Sequence, residues 1–246
     1  MSRRFIAVAV AALAFSLGVK AQTNLQTFYD FGKDRKHVTT TLEGYYGDKW
    51  GDTFFFVDYD YNTKDAKNRF IGVSGSYFEI SRGINFWHES ALKDLSAHVE
   101  YNGGVNFGSQ NFLFGANYLL HNADYSNTFT FELMYKTFSG NTSSDMPVQF
   151  TFVWGMQDLF GVGGLRFSGF ADLWGENTSY WYGDAEPLKA EAGKFIFLSE
   201  PQLWYNVGRH FGVDNLNIGT ELELSYNFAG CSGFHFRPCL GTKWVF

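Results

Sequence analysis

The 246-residue sequence predicts an all-β protein, a closed antiparallel transmembrane β-barrel of about 12 strands. Three observations predict it. Segments of roughly ten residues alternate apolar and polar side chains with period two, as strands with one greasy face do. Aromatic residues make up 20% of the chain and Gly outnumbers Pro 27 to 4, which favours strands and tight turns. Past the amino-terminal stretch no apolar run reaches the ~20 residues of a membrane helix. Mean hydropathy is −0.19. These values exclude a helical membrane protein but not a barrel, whose inward polar residues dilute the average.

The chain begins with "MSRR", then the apolar run "FIAVAVAALAFSLG", then the small residues of "VKA". That order predicts a signal peptide over residues 1–21, cut after Ala21, and a barrel domain over 22–246. The apolar run is too short for an anchoring helix, and no Cys lies near the cut for lipidation. No Pro- or Ser-rich linker divides the remainder, which reads as one domain.

The strands follow in order. Noisier alternation covers "LQTFYDF" (25–31), "VTTTLEGYY" (38–46), "TFFFVDYDY" (53–61) and "IGVSGSYFEI" (71–80). "LSAHVEYN" (95–102) opposes Leu95, Ala97, Val99 and Tyr101 to Ser96, His98, Glu100 and Asn102. After "NFLFGANYLL" (111–120), "TFTFELMYK" (128–136) opposes Phe129, Phe131, Leu133 and Tyr135 to Thr130, Glu132, Met134 and Lys136. "PVQFTFVWGM" (147–156) precedes "GLRFSGFADLW" (164–174), which carries Arg166, Ser168, Phe170, Asp172 and Trp174 on one face. "FIFLSEPQLWYNV" (195–207) contains Pro201, which cannot donate to a ladder and predicts a bulge or a start of pairing. "LNIGTELELSYNF" (216–228) sets Glu221, Glu223 and Ser225 against Leu222, Leu224 and Tyr226. "FHFRPCLGTKWVF" (234–246) ends on Phe246, inside an alternating strand, and so is expected to close the sheet against the first strand.

Connections alternate between compact ones, such as "HNADYSN" and "QDLFGVG", and roomier ones, such as "NTKDAKN", "SGNTSSDM" and residues 175–194. Outer-membrane barrels have short periplasmic turns and long outer loops. The long connection at 81–94 falls on the short side and fits that scheme poorly.

A soluble barrel hiding its apolar face inside is the competing architecture. Twelve strands need a wider interior than eight, whose side chains just fill the space. Turned outward, the apolar face would present thousands of Å² at about 150–250 Å² per aromatic, far beyond the few hundred that a soluble monomer tolerates. In lipid the same band is required, and closure satisfies the backbone.

The polar face then lines the lumen. It carries Glu43, Asp58, Asp60, His98, Glu100, Glu132, Lys136, Arg166, Asp172, Glu221, Glu223, Arg237 and Lys243, interleaved with Tyr45, Phe54, Phe56, Phe170 and Trp174. Such charge does not sit unpaired in a dry core. It implies a wet lumen or a plug of paired ions, and the rings could stack on a planar solute. Net charge is −6 with no basic stripe, so nucleic acid is not an expected partner. Cys231 and Cys239 lie close together in an exported chain and are a candidate disulfide. No CxxC pattern predicts a metal or redox centre, and no cofactor is expected. A lipid hydrolase would need a Ser–His pair on the lipid face, whereas the alternation turns His98 and His235 inward.

"LEGYYGDKWGDTFFFVDYDY" (42–61), "YFEISRGINF" (77–86) and "DLFGVGGLRFSGFADLWGE" (158–176) resemble Tsx, the nucleoside-specific outer-membrane channel family, and a Tsx-like branch of it. The resemblance implies twelve strands and passive, selective diffusion of small hydrophilic solutes, nucleosides first among them. It also implies residence in the outer membrane of a Gram-negative bacterium, among outer-membrane lipid. A terminal aromatic such as Phe246 resembles the signal read by the barrel assembly machinery. A non-conducting structural or adhesive barrel is the alternative.

Overall fold

The computed structural model describes residues 21–33, 35–61, 63–64, 70–105, 110–139, 143–178, 182–183 and 193–246. The expected signal segment up to residue 20 lies outside the described residues, as do parts of the connections at 62–69, 140–142 and 179–192.

Twelve antiparallel strands form the barrel: β1 (Ala21–Asp30), β2 (Val38–Asp48), β3 (Gly51–Tyr61), β4 (Gly75–Ile84), β5 (Leu95–Val105), β6 (Gln110–His121), β7 (Asn127–Lys136), β8 (Val148–Met156), β9 (Leu165–Thr178), β10 (Gly193–Ser199, continuing as Gln202–Tyr205), β11 (Leu216–Tyr226) and β12 (Phe234–Val245). Each pairs with its sequence neighbours, and β12 returns to β1. The seam runs from Asn24 opposite Val245 to Asp30 opposite Cys239. It extends to the last residue, where the Phe246 N–H donates to Thr23 O at 2.9 Å. No helix among the described residues is long and apolar enough to cross a membrane. The crossing elements are strands.

One face of every strand is apolar and uncovered. Leu25, Leu42, Ile80, Phe112, Phe131, Leu133, Phe150, Leu173, Phe236 and Leu240 all point away from the barrel and are exposed, Leu133 to 63%. Moving each such side chain from water into hydrocarbon is worth about 1.5–3 kcal/mol. A second signature of the bilayer lies at the end where the chain termini meet. There Trp50, Phe86, Tyr125, Phe160, Phe211, Trp244 and Phe246 stand exposed on rims and turns, as an interfacial aromatic girdle does. Arg82 also faces outward at that end, bonded to Asp48 Oδ2 at 2.9 Å and Thr53 Oγ1 at 3.0 Å.

Three sequence expectations change. Pro201 marks neither a bulge nor a start of pairing. The register of β10 against β9 and β11 is the same on both sides of it: Ala171↔Ser199 and Ser168↔Gln202 on one side, Ser199↔Leu224 and Gln202↔Glu221 on the other. The ladder survives because the bonds flanking the proline do not need its missing N–H. Glu200 N donates to Phe170 O, and Leu222 N donates to Pro201 O. Gly169 lies opposite at φ +153°, where a Cβ would meet Glu200 O at 2.4 Å. Second, the connection predicted at 81–94 is shorter, because Ser81–Ile84 continue β4. The remaining residues fold into tight turns, with Ser90 N on Trp87 O and Leu95 N on Leu92 O. Third, no disulfide joins Cys231 to Cys239. Cys231 Sγ lies 3.4 Å from Arg237 Nη2, while Cys239 points into the lumen against Phe28 and Trp204.

Candidate functional site

The inward register of the twelve strands builds a lumen in three parts. The first is a polar wall on β5 to β9. Alternation on β5 sends Ser96, His98, Glu100 and Asn102 inward, all buried. Asn102 Nδ2 donates to Glu100 Oε1 at 2.8 Å, and Asn111 Nδ2 of β6 donates to Asn102 Oδ1 at 2.9 Å. His98 Nε2 lies 3.4 Å from Glu100 Oε2, and its Nδ1 lies 3.7 Å from Glu132 Oε1 of β7. Lys136 donates to Gln149 Oε1 at 3.0 Å and sits 4.1 Å over the Trp174 ring. Thr151 Oγ1 donates to Asp172 Oδ1 at 2.5 Å, and Trp174 Nε1 to Glu176 Oε2 at 2.7 Å. Buried polar groups are costly unless satisfied, and this chain of bonds links them from strand to strand.

The second part lies across β10, β11, β12, β1 and β2. Arg237 is 1% exposed, and its Nη1 is bonded to Glu223 Oε1, whose other oxygen receives Arg35 Nη1 at 2.7 Å. Trp204, also 1% exposed, donates to Gln202 Oε1 at 2.7 Å and packs on Phe28 at 5.4 Å between centroids. Lys243 Nζ covers its ring at 4.2 Å. Two inward glycines make the room. A Cβ on Gly219 would lie 2.5 Å from Trp204 Cε3, and one on Gly241 would lie 2.6 Å from Phe28 Cδ1. Asn24 and Gln26 hold Glu43 at 2.8 and 3.3 Å.

Between these walls runs a band of inward side chains that are half-buried. It contains Glu43, Phe54, Phe56, Asp58, Tyr77, Glu79, Arg166, Phe170, Asp172, Glu200 and Glu221. Phe54, Phe56 and Tyr77 form a row, with centroids 6.0 and 5.7 Å apart. Arg166 of β9 stands within electrostatic reach of Glu43 of β2, nearly opposite on the barrel. Asp172 likewise interacts with Glu100, and Glu221 with Asp58.

All eighteen residues expected in the lumen lie on the inward register, but they divide: Tyr45 stands exposed, Asp60 is half-buried beside His37, and Lys243 is buried over Trp204. His98, Glu100, Glu132, Lys136, Trp174, Glu223 and Arg237 are buried in the two walls. Glu43, Phe54, Phe56, Asp58, Arg166, Phe170, Asp172 and Glu221 belong to the half-buried band. Sequence reasoning missed Asn24, which precedes the segment taken as the first strand, and Gln26, which lies within its noisy alternation. It missed Tyr77 and Glu79 in a noisy segment, although their shared parity was a usable signal. It also missed Glu200, Gln202 and Trp204, whose common parity Pro201 obscured.

A closed twelve-strand antiparallel barrel with an apolar exterior and a charged interior defines the outer-membrane porin class of architecture. The chain itself belongs to the family described as "Domain of unknown function (DUF5020)", which matches residues 21–246. Among solved structures it is similar to the "KdgM porin", at TM-score 0.50 and 7% identity, over 92% of this chain and 99% of that one. It is also similar to Pseudomonas aeruginosa OpdK with vanillate, at TM-score 0.40 and 10% identity, over 94% and 99% of the two chains. At these identities the likeness carries the fold alone. No curated protein matches the chain.

Proposed function

We propose that this protein is a channel in the outer membrane of a Gram-negative bacterium, passing small hydrophilic solutes by passive, selective diffusion. The observation that carries this reading is the half-buried band. Ionisable groups such as Glu43, Arg166 and Glu221 face one another inside a closed barrel without being packed away in its walls. Closed barrels without a water path bury such groups or exclude them.

In this reading solutes exchange hydration for several weak contacts in a row, each weak enough to release them. Carboxylates predominate along the path, with Glu43, Asp58, Glu79, Asp172, Glu200 and Glu221 set against Arg166 and Lys243. Cations are therefore favoured among ions. The row Phe54–Phe56–Tyr77 offers stacking to a planar solute, and neighbouring carboxylates accept its hydrogen bonds. Nucleosides, the substrates implied by the sequence resemblance, have that chemistry. The chain needs no energy source for this. Its partners are the solute, outer-membrane lipid and, through Phe246, the barrel assembly machinery.

The test is single-channel conductance in planar bilayers, with liposome swelling in nucleosides and in sugars of matching size. Discrete conductance and faster swelling with nucleosides are expected. A folded but silent barrel would overturn the channel, and equal swelling would overturn nucleoside preference alone. The silent barrel is the second reading, and the close packing of Trp204, Arg237 and Lys243 favours it.

A further inference from the structure

We propose that His98, Glu100 and Glu132 form a binding site on the lumen wall for one divalent transition-metal cation of the Zn²⁺ class. The inference does not depend on whether the barrel conducts.

The register assembles the site. His98 and Glu100 are two apart on β5 and so share its inward face, while Glu132 comes from β7. Between them on β6, the residue opposite His98 is Gly115, so no side chain from that position separates the imidazole from β7. The three ligand atoms lie within 4.8 Å of one another. His98 Nδ1 and Glu132 Oε1, 3.7 Å apart, are too distant for a good hydrogen bond. Two ligands at 2.0–2.2 Å from a tetrahedral zinc ion lie roughly 3.3–3.5 Å apart, so the pair is nearly spaced for a shared ion. Asn117 adds a side-chain amide 3.3 Å from the same Nδ1, and rotation of that amide would present its oxygen.

Charge supplies an independent reason. Glu79, Glu100, Glu132 and Asp172 repel one another here, and Lys136 is a cation within reach of Glu79, Glu100 and Asp172. Lys136 is already engaged by Gln149 and Trp174. Carboxylates gathered in this number are relieved by taking up protons or by binding a cation. His98 Nε2 faces Glu100 and Nδ1 faces Glu132, so an ion takes one imidazole nitrogen and the second carboxylate rotates to reach it. That mixed nitrogen and oxygen set suits zinc-class ions, whereas Ca²⁺ takes six to eight oxygens. Asn102 holds Glu100 in place, as outer-shell partners of metal ligands do.

The test is calorimetric titration of ZnCl₂ into the folded, detergent-solubilised protein, with CaCl₂ in parallel. One Zn²⁺ per chain is expected, bound at least tenfold more weakly after His98→Ala or Glu132→Gln and unchanged after Glu221→Gln. Heat-modifiable gel migration reports folding of each variant, and His98→Gln replaces His98→Ala if the latter misfolds. The proposal is overturned by no Zn²⁺ binding to the folded wild type, by binding that survives loss of the imidazole, or by equal affinity for Ca²⁺.

Discussion

At the scale of single residues, Trp204 is the largest fully buried side chain among the described residues, and it faces the lumen. It is 1% exposed, sits against Phe28 and under Lys243, and occupies space left by Gly219. Trp204→Ala is expected to raise single-channel conductance while lowering stability by about 3–5 kcal/mol, the cost of a large aromatic removed from a packed site. Urea unfolding in lipid vesicles and bilayer recording read the two effects on one preparation. The Glu223–Arg237 pair answers to a different rule. Removing the cation with Arg237→Leu strands a buried carboxylate and is expected to cost about 3–5 kcal/mol by the same unfolding assay. Neither role was legible in the sequence. Alternation showed that Glu223 and Arg237 face inward, but that they stand directly opposite each other depends on the register between β11 and β12. Likewise His98 and Glu100 were readable as a pair on one face, whereas Glu132 joins them only through the β6 ladder.

At the scale of the element, the strand carrying Pro201 shows why β-pairing tolerates a residue that sequence rules count against it. A proline withholds one donor, and the ladder loses only that bond when the opposite residue gives the ring space. Gly169 gives it, at φ +153° and with its missing Cβ aimed at Glu200 O. Gly169→Val is therefore expected to destabilise the barrel by about 1–3 kcal/mol, the range for strain at a sparsely populated backbone position, while Gly47→Val, with no atom nearer than 4.0 Å, is expected to cost less. Comparing urea midpoints of the two variants checks this. Strand faces were the most legible part of the fold, because hydrocarbon enforces the alternation residue by residue. Leu133 on β7 points into that hydrocarbon, so Leu133→Arg is expected to cost about 2–4 kcal/mol if it lies near the midplane. The same change in a soluble barrel surface would cost almost nothing, which makes it a direct assay of which face meets lipid.

At the scale of the whole molecule, carboxylates exceed cations along the half-buried band, and in a conducting barrel the sign of that excess would set ion preference. A reversal potential favouring K⁺ over Cl⁻ is expected in a KCl gradient. It should shrink as salt rises from 0.1 to 1 M, because the screening length falls from about 10 to about 3 Å. Glu221→Lys should move it toward Cl⁻ without changing the fold. The seam between β1 and β12 has a different kind of consequence. Asn24 meets Val245, so the hydrogen bonds that close the barrel join opposite ends of the described chain. Until they form, the sheet has two bare edges, and each unmet amide left in hydrocarbon costs several kcal/mol. Such a sheet is most stable if it enters the bilayer already rolled, or beside a surface that lends its own strand edge. The rate at which this protein matures is then set by how long its beginning must wait for its end.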